Sequence, residues 1–169
     1  MMRRPVRPAA LAASATLLAG GLLTAAAPAA SAAPAKYSQA AAAQMLRQAG
    51  IAWTSSGGCT DRTNGRCTSF EQINRTTVAG VIDFRRAGNC AVTVTGGTET
   101  GHAPGTYSHW NGYKVDVSPT SCVSAYITTR FRHIGPRPGD HAQQYQSPAG
   151  NVYAGEGTHW DITYYRGSR

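Results

Sequence analysis

Two short stretches carry most of the residues that could do chemistry. His109 and Asp116 stand seven residues apart in the pattern H-x-x-G-x-x-x-D. About forty residues further on, Glu156 and His159 form the pattern E-x-x-H, and Asp161 follows closely. A catalytic zinc ion uses three protein ligands, an open position for water and a nearby base. The residue types therefore predict a zinc hydrolase site, provided that the two stretches meet in the fold.

The first stretch is predicted to lead from a loop into a β-strand over residues 113–117. In a strand, successive side chains point to opposite faces, so Lys114 and Asp116 share one face while Val115 and Val117 share the other. The two valines favour the core. This leaves Asp116 on a face that can border a cleft.

The second stretch is predicted to lie in a hairpin near the end of the chain. Its strands cover residues 151–154 and 159–165, joined by a tight turn that contains Glu156. His159 opens the second strand, and Asp161 shares its face. We expect Asp161 to accept the second ring proton of a ligating histidine, because such histidines usually donate that proton to a neighbour.

The remaining helices and strands are predicted from helix-capping residues and from the periodicity of apolar residues. Ser38 is predicted to cap a helix over residues 39–49, and a capping box at residues 69–72 to open a second helix that runs to residue 86. Residues 121–131 favour a third helix, and a strand is the alternative because several of these residues are β-branched. Residues 91–95 alternate like a strand, and residues 133–150 read as loop. Because helices come first and strands later, we predict an α+β fold with a small antiparallel β-sheet and N-terminal helices packed on one face.

Four cysteines follow the first 32 residues. An even number in an exported chain implies two disulfides, with three possible pairings. The pairing we predict closes a short Gly/Thr/Asn-rich loop with Cys59–Cys67 and ties the middle of the chain with Cys90–Cys122. A zinc site built from the four cysteines is the alternative, but the spacing contains no C-x2-C pair.

The N-terminus has the composition of a secretory signal peptide. A basic start is followed by an Ala/Leu-rich run and a small-residue A-x-A site, which predicts a signal peptide over residues 1–32. A membrane anchor is the alternative, but the run is short and alanine-dominated for a bilayer span of about 20 apolar residues. Residues 33–169 are then one secreted domain that does not stay attached to the membrane.

The net charge of the chain without its signal peptide indicates which classes of molecule it could bind. Removing the three arginines of the signal leaves 13 basic against 8 acidic residues, a net charge of +5. A moderately basic secreted protein is attracted to polyanions such as bacterial wall polymers. The basic residues are scattered, so nucleic acid is a poor candidate partner. We expect a monomer.

Together the two motifs resemble the zinc D-Ala-D-Ala peptidases, a group related more distantly to lysostaphin and the hedgehog signalling domain. The family pattern is S-x-H-x-x-G-x-A-x-D followed by E-x-x-H, and the likeness spans about residues 90–165. The resemblance implies that His109, Asp116 and His159 hold Zn²⁺ and that Glu156 is the catalytic base. Asp161 would match an acidic position behind the ligands.

The chain departs from that pattern at several positions. Lys114 replaces a small residue, and Ser108 lies next to the first histidine instead of two residues before it. The family's substrate-binding arginine is missing from residues 92–98. Four other arginines could replace it in space, namely Arg85, Arg86, Arg130 and Arg132. His102 could also take the place of a metal ligand.

The resemblance implies a secreted zinc metallopeptidase that hydrolyses amide bonds in bacterial cell-wall peptides. Its partners would be peptidoglycan stem peptides or crosslinks. Carboxypeptidase and endopeptidase activities are both compatible with the motifs, and the missing arginine favours the endopeptidase. The alternative is a catalytically inactive zinc-binding module, or a secreted module of the same fold that binds glycan or protein.

Overall fold

Seven strands form the main β-sheet of the molecule. The computed structural model describes residue 2 and residues 35–165. Except for Met2, the predicted signal peptide lies outside this part of the chain. The strands are β1 (Lys36–Tyr37), β2 (Ala52–Trp53), β3 (Ile73–Asn74), β4 (Thr93–Gly96), β5 (Lys114–Val117), β6 (Arg132–Pro136), β7 (Gln143–Gln146), β8 (Val152–Gly155) and β9 (Trp160–Thr163). The helices are α1 (Gln39–Gln48), α2 (Arg75–Gly88) and α3 (Ser121–Arg130).

The order of strands in the main sheet is β2-β4-β5-β9-β8-β7-β6. β2 runs parallel to β4, and the other neighbours are antiparallel. β1 and β3 form a separate two-stranded ladder. The mixture of helices and strands agrees with the predicted α+β class. The prediction of a small antiparallel sheet was wrong, because the main sheet has seven strands and β2 is parallel to β4.

The extra strands come mainly from residues 133–150, which we predicted as loop. β6 and β7 have few buried side chains, so neither shows the apolar alternation of a strand packed on a core. They pair with each other, and β7 also pairs with β8. Backbone hydrogen bonding to an existing strand therefore determines their conformation, and that contact is not encoded in local hydropathy.

α1 and α3 form close to where they were predicted. The hydroxyl of Ser38 accepts a hydrogen bond from the backbone N–H of Ala41 at the start of α1. α2 begins later than expected, after the N-cap residue Asn74. The predicted capping box fails because Gln72 has a positive φ of 62° and the next two residues pair with β1.

One face of the main sheet carries the core. Val94, Val115, Val117 and Ile162 are buried there and join the apolar residues of the three helices in a single cluster. Residues that alternate with them on β5 and β9 must point to the opposite face. The strands therefore separate an apolar face under the helices from a polar face.

Two disulfides are present, and they pair the cysteines as predicted. Cys59–Cys67 closes a short loop, and Cys90–Cys122 joins the end of α2 to the start of α3. Disulfides persist in oxidising compartments such as the extracellular space. Within the described residues, every helix is too short or too polar to cross a bilayer.

Candidate metal centre

Strand pairing brings two aspartates together on the polar face of the sheet. Asp116 on β5 lies directly opposite Asp161 on β9, and Gly96 on β4 is the other neighbour of Asp116. Both aspartates are buried, with side chains that are 8% exposed. Buried carboxylates that face each other repel unless cations or donors compensate them.

His109 reaches the aspartates from a turn just before β5. The turn is closed by a hydrogen bond from the N–H of Gly112 to the carbonyl of His109, and Gly112 has a φ of 79° that favours glycine. Nδ1 of His109 donates to the carbonyl of Gly97 over 2.7 Å. This fixes the ring so that Nε2 lies 3.3 Å from Oδ1 of Asp116.

Glu156 and His159 approach from the other side, in the turn between β8 and β9. The N–H of Glu156 donates to the carbonyl of His159 over 3.0 Å, which closes the turn. Nε2 of His159 lies 3.5 Å from Oδ1 of Asp116 and 3.2 Å from Oε2 of Glu156. The four residues that the two sequence motifs contribute are therefore neighbours in space.

The geometry around Asp116 Oδ1 has the character of an ion site. This buried oxygen has no hydrogen-bond donor, and neither does Oδ1 of Asp161, which lies 3.6 Å from Nε2 of His109. Metal–ligand bonds of about 2.0–2.2 Å at tetrahedral angles place ligand atoms roughly 3.3–3.6 Å apart. The separations from Asp116 Oδ1 to the two imidazoles fall in this range. The described residues whose ligand atoms all lie within 4.8 Å of one another are, however, His102, His109 and Asp116, and His159 is not among them.

His102 extends the set of possible ligands. One ligand atom from each of His102, His109 and Asp116 lies within 4.8 Å of the others, so this group could bind a metal ion. The rings of His102 and His109 are stacked, with centroids 3.8 Å apart and planes inclined by 13°. An imidazole binds a metal in the plane of its ring, so His102 would have to turn before it shared an ion with His109.

A buried glutamate holds His102 in its stacked position. Nε2 of His102 lies 3.2 Å from Oε1 of Glu99, whose carboxylate also accepts hydrogen bonds from the N–H groups of Ser69 and Gly97. Burial raises the pKa of Glu99, but the hydrogen bonds from His102 and the backbone outweigh it and leave the pKa lowered. Glu99 is thus an ionised hydrogen-bond partner of His102, and the sequence motifs did not predict it.

The carboxylates also shift the pKa of His109. Burial lowers the pKa of this imidazole, but the nearby carboxylates of Asp116 and Asp161 outweigh burial and raise the pKa to about 9. Burial raises the pKa of Asp161, whereas His109 and Lys114 lower it by a larger amount. In the protein without metal, His109 is therefore a cation that compensates the two aspartates.

Asp161 does not have the role we expected for it. The acceptor for the second ring proton of His109 is the Gly97 carbonyl, and Nδ1 of His159 lies 3.0 Å from the Thr158 hydroxyl. Asp161 instead binds cations, because its Oδ2 accepts from Nζ of Lys114 at 2.6 Å and from Arg137 at 2.8 Å.

Arg137 is a second residue of the site that the sequence motifs did not predict. It follows β6 directly and contacts the carboxylates of Asp140, Glu156 and Asp161. None of the four arginines proposed as replacements lines the cleft. Arg137 lies in a segment predicted as loop, and no local pattern signals that this turn folds over the hairpin of β8 and β9.

These residues line a cleft of about 610 Å³. Its lining holds four carboxylates and two side chains that are permanently cationic, which leaves two excess negative charges when the imidazoles are neutral. The carboxylates belong to Asp116, Asp140, Glu156 and Asp161, and the cations are Lys114 and Arg137. One divalent ion would neutralise this excess.

No family model, curated protein or solved structure matches this chain.

Proposed function

We propose that the protein is a secreted zinc-dependent peptidase that hydrolyses amide bonds in bacterial cell-wall peptides. The observation that carries this proposal is the convergence on Asp116 Oδ1 of the imidazoles of His109 and His159, with the carboxylate of Glu156 beside His159. Two neutral imidazoles and one carboxylate, with a further position open to the cleft, are a common ligand set of catalytic zinc.

The protein residues would act on a water molecule and a substrate amide. Zinc held by His109, Asp116 and His159 would supply the Lewis acidity that makes water a nucleophile at neutral pH. Glu156 accepts a proton from the attacking water while the water oxygen bonds to the carbonyl carbon. The C–N bond then breaks, and Glu156 returns the proton to the leaving amine, so the products are a carboxylic acid and an amine.

Two contacts support this role for Glu156. Arg137 contacts Oε1, which leaves Oε2 facing His159 and the candidate ligands. The side chain of Glu156 is 28% exposed, so water can reach it. The cell-wall substrate is supported by the resemblance of the motifs, the basic net charge and the two disulfides, which suit an oxidising environment outside the cell.

The test compares wild type with Glu156→Gln. Zinc content is measured by mass spectrometry, and release of amino groups is measured on purified peptidoglycan. We expect one zinc per chain in both proteins and a loss of activity of about 100-fold or more in the variant, the usual size of a general-base contribution. Glu71→Gln is the matched control, because Glu71 lies outside the cleft lining, and it should keep full activity.

The same experiment separates the alternatives. A wild type that binds zinc but releases no amines would support the non-catalytic binding module. A Glu156→Gln variant within a few-fold of wild type would show that another group is the base. A wild type that binds no zinc would contradict the proposed metal centre.

A further inference from the structure

A second depression adjoins the candidate metal centre. It has a volume of about 290 Å³ and shares Gly101 and His102 with the main cleft as a common wall. Trp110 and Asn111 also line this depression. A substrate bound at the metal centre would therefore find a continuation of the groove beyond His102.

Trp110 gives this depression an aromatic surface fixed in position. The side chain is 46% exposed, although it directly follows the buried His109 in the chain. The guanidinium of Arg62 lies 3.7 Å from the centre of the indole ring and donates hydrogen bonds to the carbonyls of Thr98 and Trp110. Arg62 therefore supports the ring, and nearly half of the residue remains exposed.

The loop around the depression is also held by its own hydrogen bonds. The side-chain amide of Asn111 donates to the carbonyls of Gly105 and Thr106 over 2.9 and 3.3 Å. A subsite built before the ligand arrives loses little conformational entropy on binding. The arrangement is suited to binding a chain segment over the indole ring.

Among the described residues that line the main cleft, no cationic side chain is free to bind a terminal carboxylate. Among the described residues that line it, the two permanently cationic side chains are Lys114 and Arg137. Lys114 is paired with Asp161, and Arg137 with Asp140, Glu156 and Asp161. A carboxylate brought next to them would have to displace one of these partners. The cleft therefore favours an uncharged amide with chain on both sides.

We infer that the protein cleaves internal amide bonds, and that the peptide on one side of the cleaved bond continues past His102 and packs on Trp110. The occupant is an extended peptide segment, because the chain attached directly to a cleaved amide is peptide and the groove begins at that amide. This inference rests on the proposed peptidase function and specifies its substrate class.

The first experiment uses disaccharide-peptide dimers released from purified peptidoglycan, with their terminal carboxyl groups either free or converted to amides. Zinc-loaded protein is incubated with each, and the products are identified by mass spectrometry. We expect both forms to be cut at rates within about threefold of each other, into two fragments of more than one residue. If single terminal residues were removed from the free-acid dimer and the amidated dimer were not cut, the inference would be overturned and the proposed function would remain intact. A lack of cleavage of either form would overturn both.

The second experiment tests the subsite through Trp110→Ala. Because a half-exposed indole offers substantial apolar contact area, we expect KM for the dimer to rise about tenfold with kcat nearly unchanged. Trp110→Phe should recover most of the loss. Ile134→Ala is the control, since Ile134 is also exposed and lies on β6, outside the groove. Zinc content and melting temperature should match wild type in all three variants. An unchanged KM in Trp110→Ala would overturn the subsite.

Discussion

His109 changes its charge when metal replaces its proton. The metal-free protein keeps a proton on Nε2 of His109 up to about pH 9, because the imidazole faces Asp116 and Asp161. A divalent ion can use this nitrogen only after the proton has left. The same carboxylates that attract the metal therefore make its binding dependent on pH.

We predict that zinc affinity rises as the pH increases from 6.5 towards 8.5. Since one proton must leave a group with a pKa of about 9, the apparent dissociation constant should fall about tenfold for each pH unit. Competition with a chromogenic chelator at three pH values measures this slope. A flat profile would contradict the protonation of His109 in the metal-free state.

Arg137 is expected to position Glu156. Its guanidinium also contacts Asp140 and Asp161, so the turn after β6 is tied to the hairpin of β8 and β9. The exposed pair with Asp140 should contribute little to stability, because water screens it. The main effect of Arg137 should therefore be on the orientation of Glu156.

We predict that Arg137→Gln lowers kcat about tenfold while zinc content stays at one per chain. Steady-state kinetics and metal analysis test this together. Arg132→Gln is the control, because Arg132 is exposed on β6 and contacts Gln146 outside the cleft. Loss of zinc in Arg137→Gln would show that Arg137 supports the ligands instead of the base.

At the scale of elements, the pairing of β5 with β9 places the two aspartates opposite each other, and β4 lies on the other side of Asp116. β4, β5 and β9 are adjacent, and Gly96 on β4 lies beside Asp116 on β5. A side chain at position 96 would collide with the carboxylate of Asp116, because a Cβ atom there would lie closer to Oδ2 than two non-bonded atoms can pack. The glycine makes room for the carboxylate that we propose as a ligand.

Gly96→Ala should therefore weaken zinc binding. Asp116 would be pushed away from His109 and His159, and we predict a loss of metal affinity of about 10- to 100-fold. Thr95→Ala on the same strand is the control, because Thr95 is exposed and should have little influence on the site. Isothermal titration with zinc compares the two variants, and equal affinities would contradict the steric argument.

At the scale of the whole molecule, the disulfides stabilise different lengths of chain. Cys59–Cys67 spans 8 residues, whereas Cys90–Cys122 spans 32 and joins α2 to α3. In the chain-entropy account, a longer closed loop restricts the unfolded chain more strongly. The second disulfide should therefore contribute more to the free energy of unfolding.

We predict that replacing both Cys90 and Cys122 by alanine lowers the free energy of unfolding by about 4 kcal/mol. The same change at Cys59 and Cys67 should cost about 2.5 kcal/mol. Urea denaturation of the three proteins gives both values. A larger loss from the shorter loop would show that local packing, and not chain entropy, dominates.

Several features could be predicted because their causes are local. The start of α1 follows from the hydroxyl of Ser38, and the turn before β5 follows from Gly112. Strand alternation placed Asp116 opposite the valines of β5, on the face that borders the cleft. The cysteine pairing also agrees with the prediction, in which the two nearest cysteines close a short loop and the other two pair with each other.

Other features depend on contacts between distant parts of the chain. β6 and β7 form because β8 offers backbone hydrogen bonds, and Gln72 breaks the predicted start of α2 because its neighbours pair with β1. The sequence by itself determined which side chains could hold a metal and on which strand face they lie. Only the tertiary structure decided that Gly97 orients His109, that Glu99 holds His102 and that Arg137 reaches Glu156. The reason is physical: side-chain type and strand period are local properties, whereas distances between residues far apart in the chain depend on how the strands pair.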